Sequence, residues 1–319
     1  MATRGRKLTR VLEIEDKTVG EVAEEFYTYN KVKDIAIATQ KQYKQYVGNF
    51  VKWYGEENSM SDLTAATFDK YIEKKAKDGI KTVSIATNMK HLRAFVKFAI
   101  KRSYMLDIEV TIPKFDLEQK EPYTEEEMRL LLEKPRGNSW AEYRNWVMIN
   151  YFFSTGQRLS SVLNIKVEHL NFITSQVWLE HNKDKIKKFM PLSPALVKLL
   201  KEYIEISRLE EQDYLFPEYE GGQLQPRSAE CAIAEYNRKR GVEKTSIHLF
   251  RHTFAKHYIM NGGNAFKLQQ LLNHKTIDMT MRYVNLYSQD LSSDLELLNP
   301  LDTFKRNNYT PTKRRKLVS

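Results

Sequence analysis

The chain has 319 residues, 41% of them hydrophobic and 12% aromatic, with 51 Lys plus Arg against 41 Asp plus Glu for a formal net charge of +10. This length favours two hydrophobic cores over one; the single cysteine excludes a disulfide framework and a cysteine-rich zinc module; and no apolar run approaches the ~18 residues of a membrane helix. The charge surplus lies wholly in the tails, in Arg4, Arg6, Lys7 and Arg10 at one end and Lys305, Arg306, Lys313, Arg314, Arg315 and Lys316 at the other, so bulk charge gives residues 11–302 no polyanion partner.

Residues 1–17 read as a basic, flexible N-terminus. Thr18 with Glu21 forms a capping-box pattern that predicts a helix through Val22–Phe26. Tyr43, Tyr46, Val47, Phe50, Val51 and Tyr54 fall on one helical stripe that ends at Gly55. A third helix is expected from Thr64 to about Lys77, with Phe68, Tyr71 and Ile72 inward, and a fourth from about Ser84 to Arg102. From Gly79 to Leu106 there are six basic residues, Lys81, Lys90, Arg93, Lys97, Lys101 and Arg102, and no acid. One reading is a helix laid against DNA phosphates. The other is a solvated face with acidic partners on neighbouring helices, and the sequence leaves both open.

Helical periodicity stops at 107–121, which contains Pro113 and reads as a linker. A second domain is expected over 122–290. Thr124 with Glu127 and Ser139 with Glu142 predict two helix starts, the second helix ending at Gly156. Ile173–Leu179 and Lys188–Leu192 flank a polar turn and predict a small hairpin. Helical patterns return at about 194–207, 226–240, 247–260, 264–272 and 276–286. The fold class expected is therefore mainly α with a small β-hairpin or sheet (α+β). Cys231 reads as a small buried apolar residue.

Four places in the second domain carry side chains suited to a phosphodiester. Arg158 follows a helix-ending glycine in Thr155-Gly156-Gln157-Arg158-Leu159-Ser160. Lys183 and Lys185 sit in the lysine-rich turn of the hairpin, which alone reads as a solvated loop. His248 and Arg251 share a helix face in His248-Leu249-Phe250-Arg251-His252. A metal pair of His248 with His252 lacks the adjoining Glu and a third ligand at useful spacing. Last, Leu272-Asn273-His274 precedes Tyr283 by nine residues, although a lone Tyr, one of 18, is ordinarily core.

Together Arg158, Lys183, His248, Arg251, His274 and Tyr283 occur in the order and spacing of the tyrosine recombinases, the phage and transposon integrases and Xer-type enzymes, and the sequence resembles that family over about 124–290. Arg158 stands in the family's T-G-x-R-x-S pattern, and residues 248–255 are close to its H-x-L-R-H-T-F-A. Residues 18–106 resemble, in helix count and position, the core-binding domain that forms the other half of a two-domain DNA clamp; residues 1–17 are too short for an arm-binding domain. Two positions depart from the pattern: Ser161 stands where the family has Glu, and Asn273 where it has Gly.

The resemblance implies a site-specific DNA recombinase, the integrase or transposase of a mobile element, that works through a 3′-phosphotyrosine made by Tyr283. Arg158 and Arg251 would hold the non-bridging oxygens, with His274 adding a hydrogen bond. His248 would act as base or proton shuttle and Lys183 as the acid for the leaving 5′-oxygen. No cofactor and no metal are implied. The implied partners are double-stranded DNA with inverted-repeat core sites, three further copies in a tetramer on two sites, and an accessory directionality factor; no membrane is involved. Residues 291–319 would comprise a leucine-rich segment that docks in trans, then a basic tail in which 312–317 resembles an import signal but reads better as a phosphate-binding tail. The expected location is the bacterial cytoplasm, with the DNA. An Xer-like dimer-resolution enzyme, or a DNA-binding regulator weakened in catalysis through Ser161, are the alternatives.

Overall fold

The computed structural model describes residues 14–115, 121–179 and 188–287. The chain divides into two compact units, Met1–Gln119 and Lys120–Ser319.

In the first unit, α1 (Val19–Val32), α2 (Ile37–Tyr54), α3 (Ala65–Lys77) and α4 (Thr82–Lys101) enclose one core. The capping box at Thr18 is formed: its hydroxyl accepts from the Glu21 amide at 3.2 Å, and the Glu21 carboxylate accepts from the Thr18 amide at 2.9 Å. Helix α2 begins six residues before its apolar stripe, because Ile37 is exposed and leaves the first turns without an inward face. Phe50 stacks on Phe68 with ring centroids 5.0 Å apart, and Phe26, Phe95 and Tyr71 complete a buried aromatic centre. Each fully buried ring of this kind contributes about 1.5–3 kcal/mol, which outweighs the weak helix propensity of aromatic residues. Residues 107–115 have no regular structure, yet Ile108, Val110 and Ile112 alternate onto the same core.

The second unit contains α5 (Glu125–Leu132), α6 (Trp140–Thr155), α7 (Leu159–Val162), the strands β1 (Leu170–Asn171), β2 (Gln176–Leu179) and β3 (Lys188–Pro191), then α8 (Pro194–Ser207), α9 (Pro226–Lys239), α10 (Ile247–Met260), α11 (Ala265–Leu272) and α12 (Asp278–Tyr287). Helices α6 and α10 pack together, with Phe152 stacked on Phe250 at 6.2 Å. Tyr123 fixes the start of the unit against α10: its amide donates to Thr253 Oγ1 at 3.0 Å, and its ring lies 4.6 Å from Phe250.

The sheet is antiparallel in the order β1-β2-β3, with Val177 opposite Met190. The expected hairpin is therefore present with one further strand, β1. The first hairpin strand starts at Gln176 rather than Ile173. Asn171 Oδ1 accepts from the Ile173 and Thr174 amides at 3.0 and 2.9 Å and closes a turn that leaves Ile173 97% exposed. The one-turn helix α7 is also new. Cys231 corrects the sequence reading: it is exposed, because Ala229 and Ile233 take the buried face of α9.

Candidate active site

Gly156 ends α6 in the left-handed region, with φ 61° and ψ 17°. A Cβ there would lie 2.5 Å from Phe254 Cδ1 and 2.8 Å from Leu272 Cδ2. Only glycine lets the end of α6 close against α10 and α11. The chain then turns through buried Gln157, whose side-chain amide donates to the Leu271 carbonyl at 2.8 Å, and presents Arg158 as the residue that opens α7.

Arg251 is 3% exposed on α10. Its guanidinium donates from Nη1 to the Gly156 carbonyl at 2.9 Å and from Nη2 to the Leu272 carbonyl at 2.7 Å, so it satisfies the ends of two helices at once. Arg158 donates to the Asn273 carbonyl at 3.4 Å. Burial, and then the charge of Arg158, push the Arg251 guanidinium down to about 10. Among the described residues no carboxylate forms an ion pair with Arg158 or Arg251. Two guanidiniums held close enough to repel, each bonded to carbonyl oxygens, concentrate positive charge here.

Helix α11 ends at Asn273, which adopts φ 51° and ψ 53°. Asn is, after Gly, a residue that tolerates this conformation, which accounts for the departure from the family's Leu-Gly-His. The left-handed turn brings His274 inward, with its amide on the Gln269 carbonyl at 3.1 Å and its Nδ1 2.7 Å from Thr280 Oγ1. His274 is 8% exposed. Burial, followed by the charges of Arg251 and Arg158, lowers its pKa to about 4, so it is neutral at pH 7.

Tyr283 projects from α12 into the same cluster, 8% exposed, its ring parallel to that of His274 with centroids 6.3 Å apart. Its hydroxyl lies 2.9 Å from Nδ1 of His252. Burial raises its pKa above the usual phenol value, and Arg251 opposes that rise. His248 is exposed, with its ring perpendicular to that of His252 at 4.7 Å. It lines a cleft of about 890 Å³ together with Arg158, Ser160, Arg227, Arg238 and Ser246.

The structure thus gathers Arg158, His248, Arg251, His274 and Tyr283; Lys183 and its alternate Lys185 lie outside the described residues, as do 291–319. Two partners in the cluster are not apparent from sequence. His252 reads there only as a metal ligand with His248, and its i, i+4 spacing does place both on one face. Thr280 carries no signal, since nothing local marks a hydroxyl that will meet His274.

On α4, Lys90, Lys97 and Lys101 are exposed at helical spacing on one face. Arg93 donates to the Val110 carbonyl at 2.6 Å, Lys90 lies over the Phe115 ring and Arg102 over Phe98, while Lys81 precedes the first turn. Among the described residues no group of three His, Cys, Asp or Glu side chains is arranged to hold a metal ion, and no helix is long and apolar enough to cross a membrane.

A largely helical fold with a small sheet thus carries two guanidiniums, three imidazoles and a buried phenol in one cluster. Residues 122–290, more than half of the chain, match the Phage integrase family, and the chain belongs to that family. It is 27% identical over 226 residues to tyrosine recombinase XerD of Staphylococcus aureus, covering 68% of this chain and 76% of the relative. It is also 27% identical over 297 residues to tyrosine recombinase XerA of Pyrococcus furiosus, covering 90% and 97%. Among solved structures, the Tn1549 transposon integrase with transposon right end DNA shares the fold at TM-score 0.71 and 16% identity, over 88% of this chain and 99% of that one. A lambda integrase tetramer on a Holliday junction shares it at TM-score 0.70 and 15% identity, over 88% and 81%. The protein is a tyrosine-type site-specific DNA recombinase.

Proposed function

We propose that the chain cuts and rejoins DNA through a 3′-phosphotyrosyl link on Tyr283, as the integrase or transposase of a mobile element. The observation that carries this reading is the pair Arg158 and Arg251, without a carboxylate ion pair among the described residues, beside the buried Tyr283 hydroxyl. A phosphodiester entering the cluster supplies the anion that the two guanidiniums lack. Charge that grows on its non-bridging oxygens during attack meets donors already fixed by carbonyl bonds, so little reorganisation is needed. Neutral His274 donates from the ring nitrogen that Thr280 does not occupy. His248 on the cleft wall contacts the phosphate and shuttles a proton, and Lys183 protonates the departing 5′-oxygen.

One phosphate ester replaces another, so the bond energy is retained in the protein–DNA link and the strand can be joined to a new end. The exposed face of α4, with Lys90, Lys97 and Lys101, holds the flanking duplex. Four copies act on two inverted-repeat sites, with 291–319 docking between copies and an accessory factor setting direction. The experiment is covalent capture: a duplex nicked beside the cleavage position should leave a denaturation-resistant adduct on Tyr283.

A second reading, resolution of replicon dimers, is favoured by the Xer recombinases among the relatives. Mapping the cleaved sequences separates the two. Element ends support integration, and a single chromosomal or plasmid locus supports resolution.

A further inference from the structure

Resting on that phosphotyrosine reading, we infer that His252 is the residue that takes the Tyr283 proton directly. The Tyr283 hydroxyl and His252 Nδ1 are 2.9 Å apart, within reach for proton transfer without a bridging water. Their ring centroids are 5.6 Å apart. The other two imidazoles are placed for other work. His248 is exposed on the cleft wall. His274 spends Nδ1 on Thr280 and, buried beside two guanidiniums, resists protonation. A phenol is only about 0.1% ionised at pH 7 in water, and burial makes Tyr283 harder to ionise still. An adjacent acceptor is therefore worth most at this hydroxyl.

In the step, Tyr283 Oη forms its bond to phosphorus as its proton passes to His252 Nδ1, on the tautomer that carries hydrogen at Nε2. The bond from phosphorus to the 5′-oxygen breaks, and that oxygen leaves with the bonding pair and takes a proton from the general acid assigned to Lys183. On rejoining, the 5′-hydroxyl attacks phosphorus as its proton returns to the amine assigned to Lys183, the bond from phosphorus to Tyr283 Oη breaks, and the imidazolium gives its proton back to the departing phenolate. The charged and titratable groups around the pair are His248 and Arg251 on α10, Arg158 at α7, His274 after α11, and Arg282 and Tyr287 on α12. The guanidiniums favour the phenolate, and that gain opposes the cost they impose on a third cation, the His252 imidazolium.

The test uses the full chain and a pool of duplexes nicked beside a randomised core, from which those captured covalently by the wild type are isolated. On these, His252→Asn and His252→Ala should each slow adduct formation about 100- to 10,000-fold with non-covalent DNA retention unchanged. Added imidazole should restore part of the rate to His252→Ala. The fall of the wild-type rate once the pH is low enough to protonate its general base should be absent from His252→Asn. That variant keeps a hydrogen-bond acceptor but no base. A rate within threefold of wild type in His252→Asn would overturn the assignment to His252 and leave the phosphotyrosine reading standing. Failure of the wild type to form any adduct would overturn both.

Discussion

Arg251 donates from Nη1 to the Gly156 carbonyl at 2.9 Å, so a residue of the active cluster also closes the end of α6. Its second fork member holds the Leu272 carbonyl at the end of α11 at 2.7 Å. Lysine carries charge but cannot span both carbonyls. Arg251→Lys should therefore lose about 1–3 kcal/mol from the carbonyl left unpaired, as well as covalent activity. Thermal unfolding alongside adduct formation checks this, and an unchanged melting temperature would contradict the structural half.

Gly156→Ala meets two obstacles, a left-handed backbone and a Cβ 2.5 Å from Phe254 Cδ1. The first costs about 1–2 kcal/mol and the second about 1–3 kcal/mol through displacement of Phe254 and Leu272. The expected outcome is a fall of roughly 2–5 kcal/mol in denaturant unfolding and loss of activity without any change to a charged residue.

His274 gives the fold a pH dependence with a definite sign. Its pKa falls from 6.5 to about 4 on folding. Between those values the unfolded chain holds more protons than the folded one, so stability falls as pH is lowered from about 6.5 toward about 4. His274→Gln should flatten that part of the profile, measured by urea midpoints across the range. An identical slope in the variant would place the effect elsewhere.

Much of this fold is legible in the chain because its helices announce themselves locally. The capping boxes at Thr18 and Thr124 are both formed, and the apolar stripes of α2 and α4 face their core. What escapes a sequence reading depends on pairing and packing that residue type alone does not announce. Two-residue β1 shows no alternation and exists because it pairs with β2. Cys231 reads inward on residue type, yet its neighbours on α9 take the buried face. In the candidate site, Arg158, His248, Arg251, His274 and Tyr283 are legible through the resemblance to the recombinase motifs, and the structure adds why Asn273 serves where glycine is usual. His252 and Thr280 are not legible: the partner of His252 is Tyr283 on α12, and Thr280 meets His274 in the turn that follows the left-handed Asn273.

The basic tails account for the whole formal charge of +10. Removing residues 1–10 and 305–319 should lower non-specific DNA affinity and reduce its salt slope by about 0.9 for each phosphate that the tails neutralise. Filter binding across a salt series measures both. Covalent capture by Tyr283 should survive, and its loss would show that the tails take part in more than attraction.

The proposed link joins Tyr283 to a DNA 3′-phosphate beside Arg158 and Arg251. Duplexes nicked beside the cleavage position, denatured after incubation and digested to peptides, identify the linked residue by mass. One DNA-bearing peptide containing Tyr283 is expected in the wild type and none in Tyr283→Phe. An adduct on another residue, or one that persists in Tyr283→Phe, would contradict it.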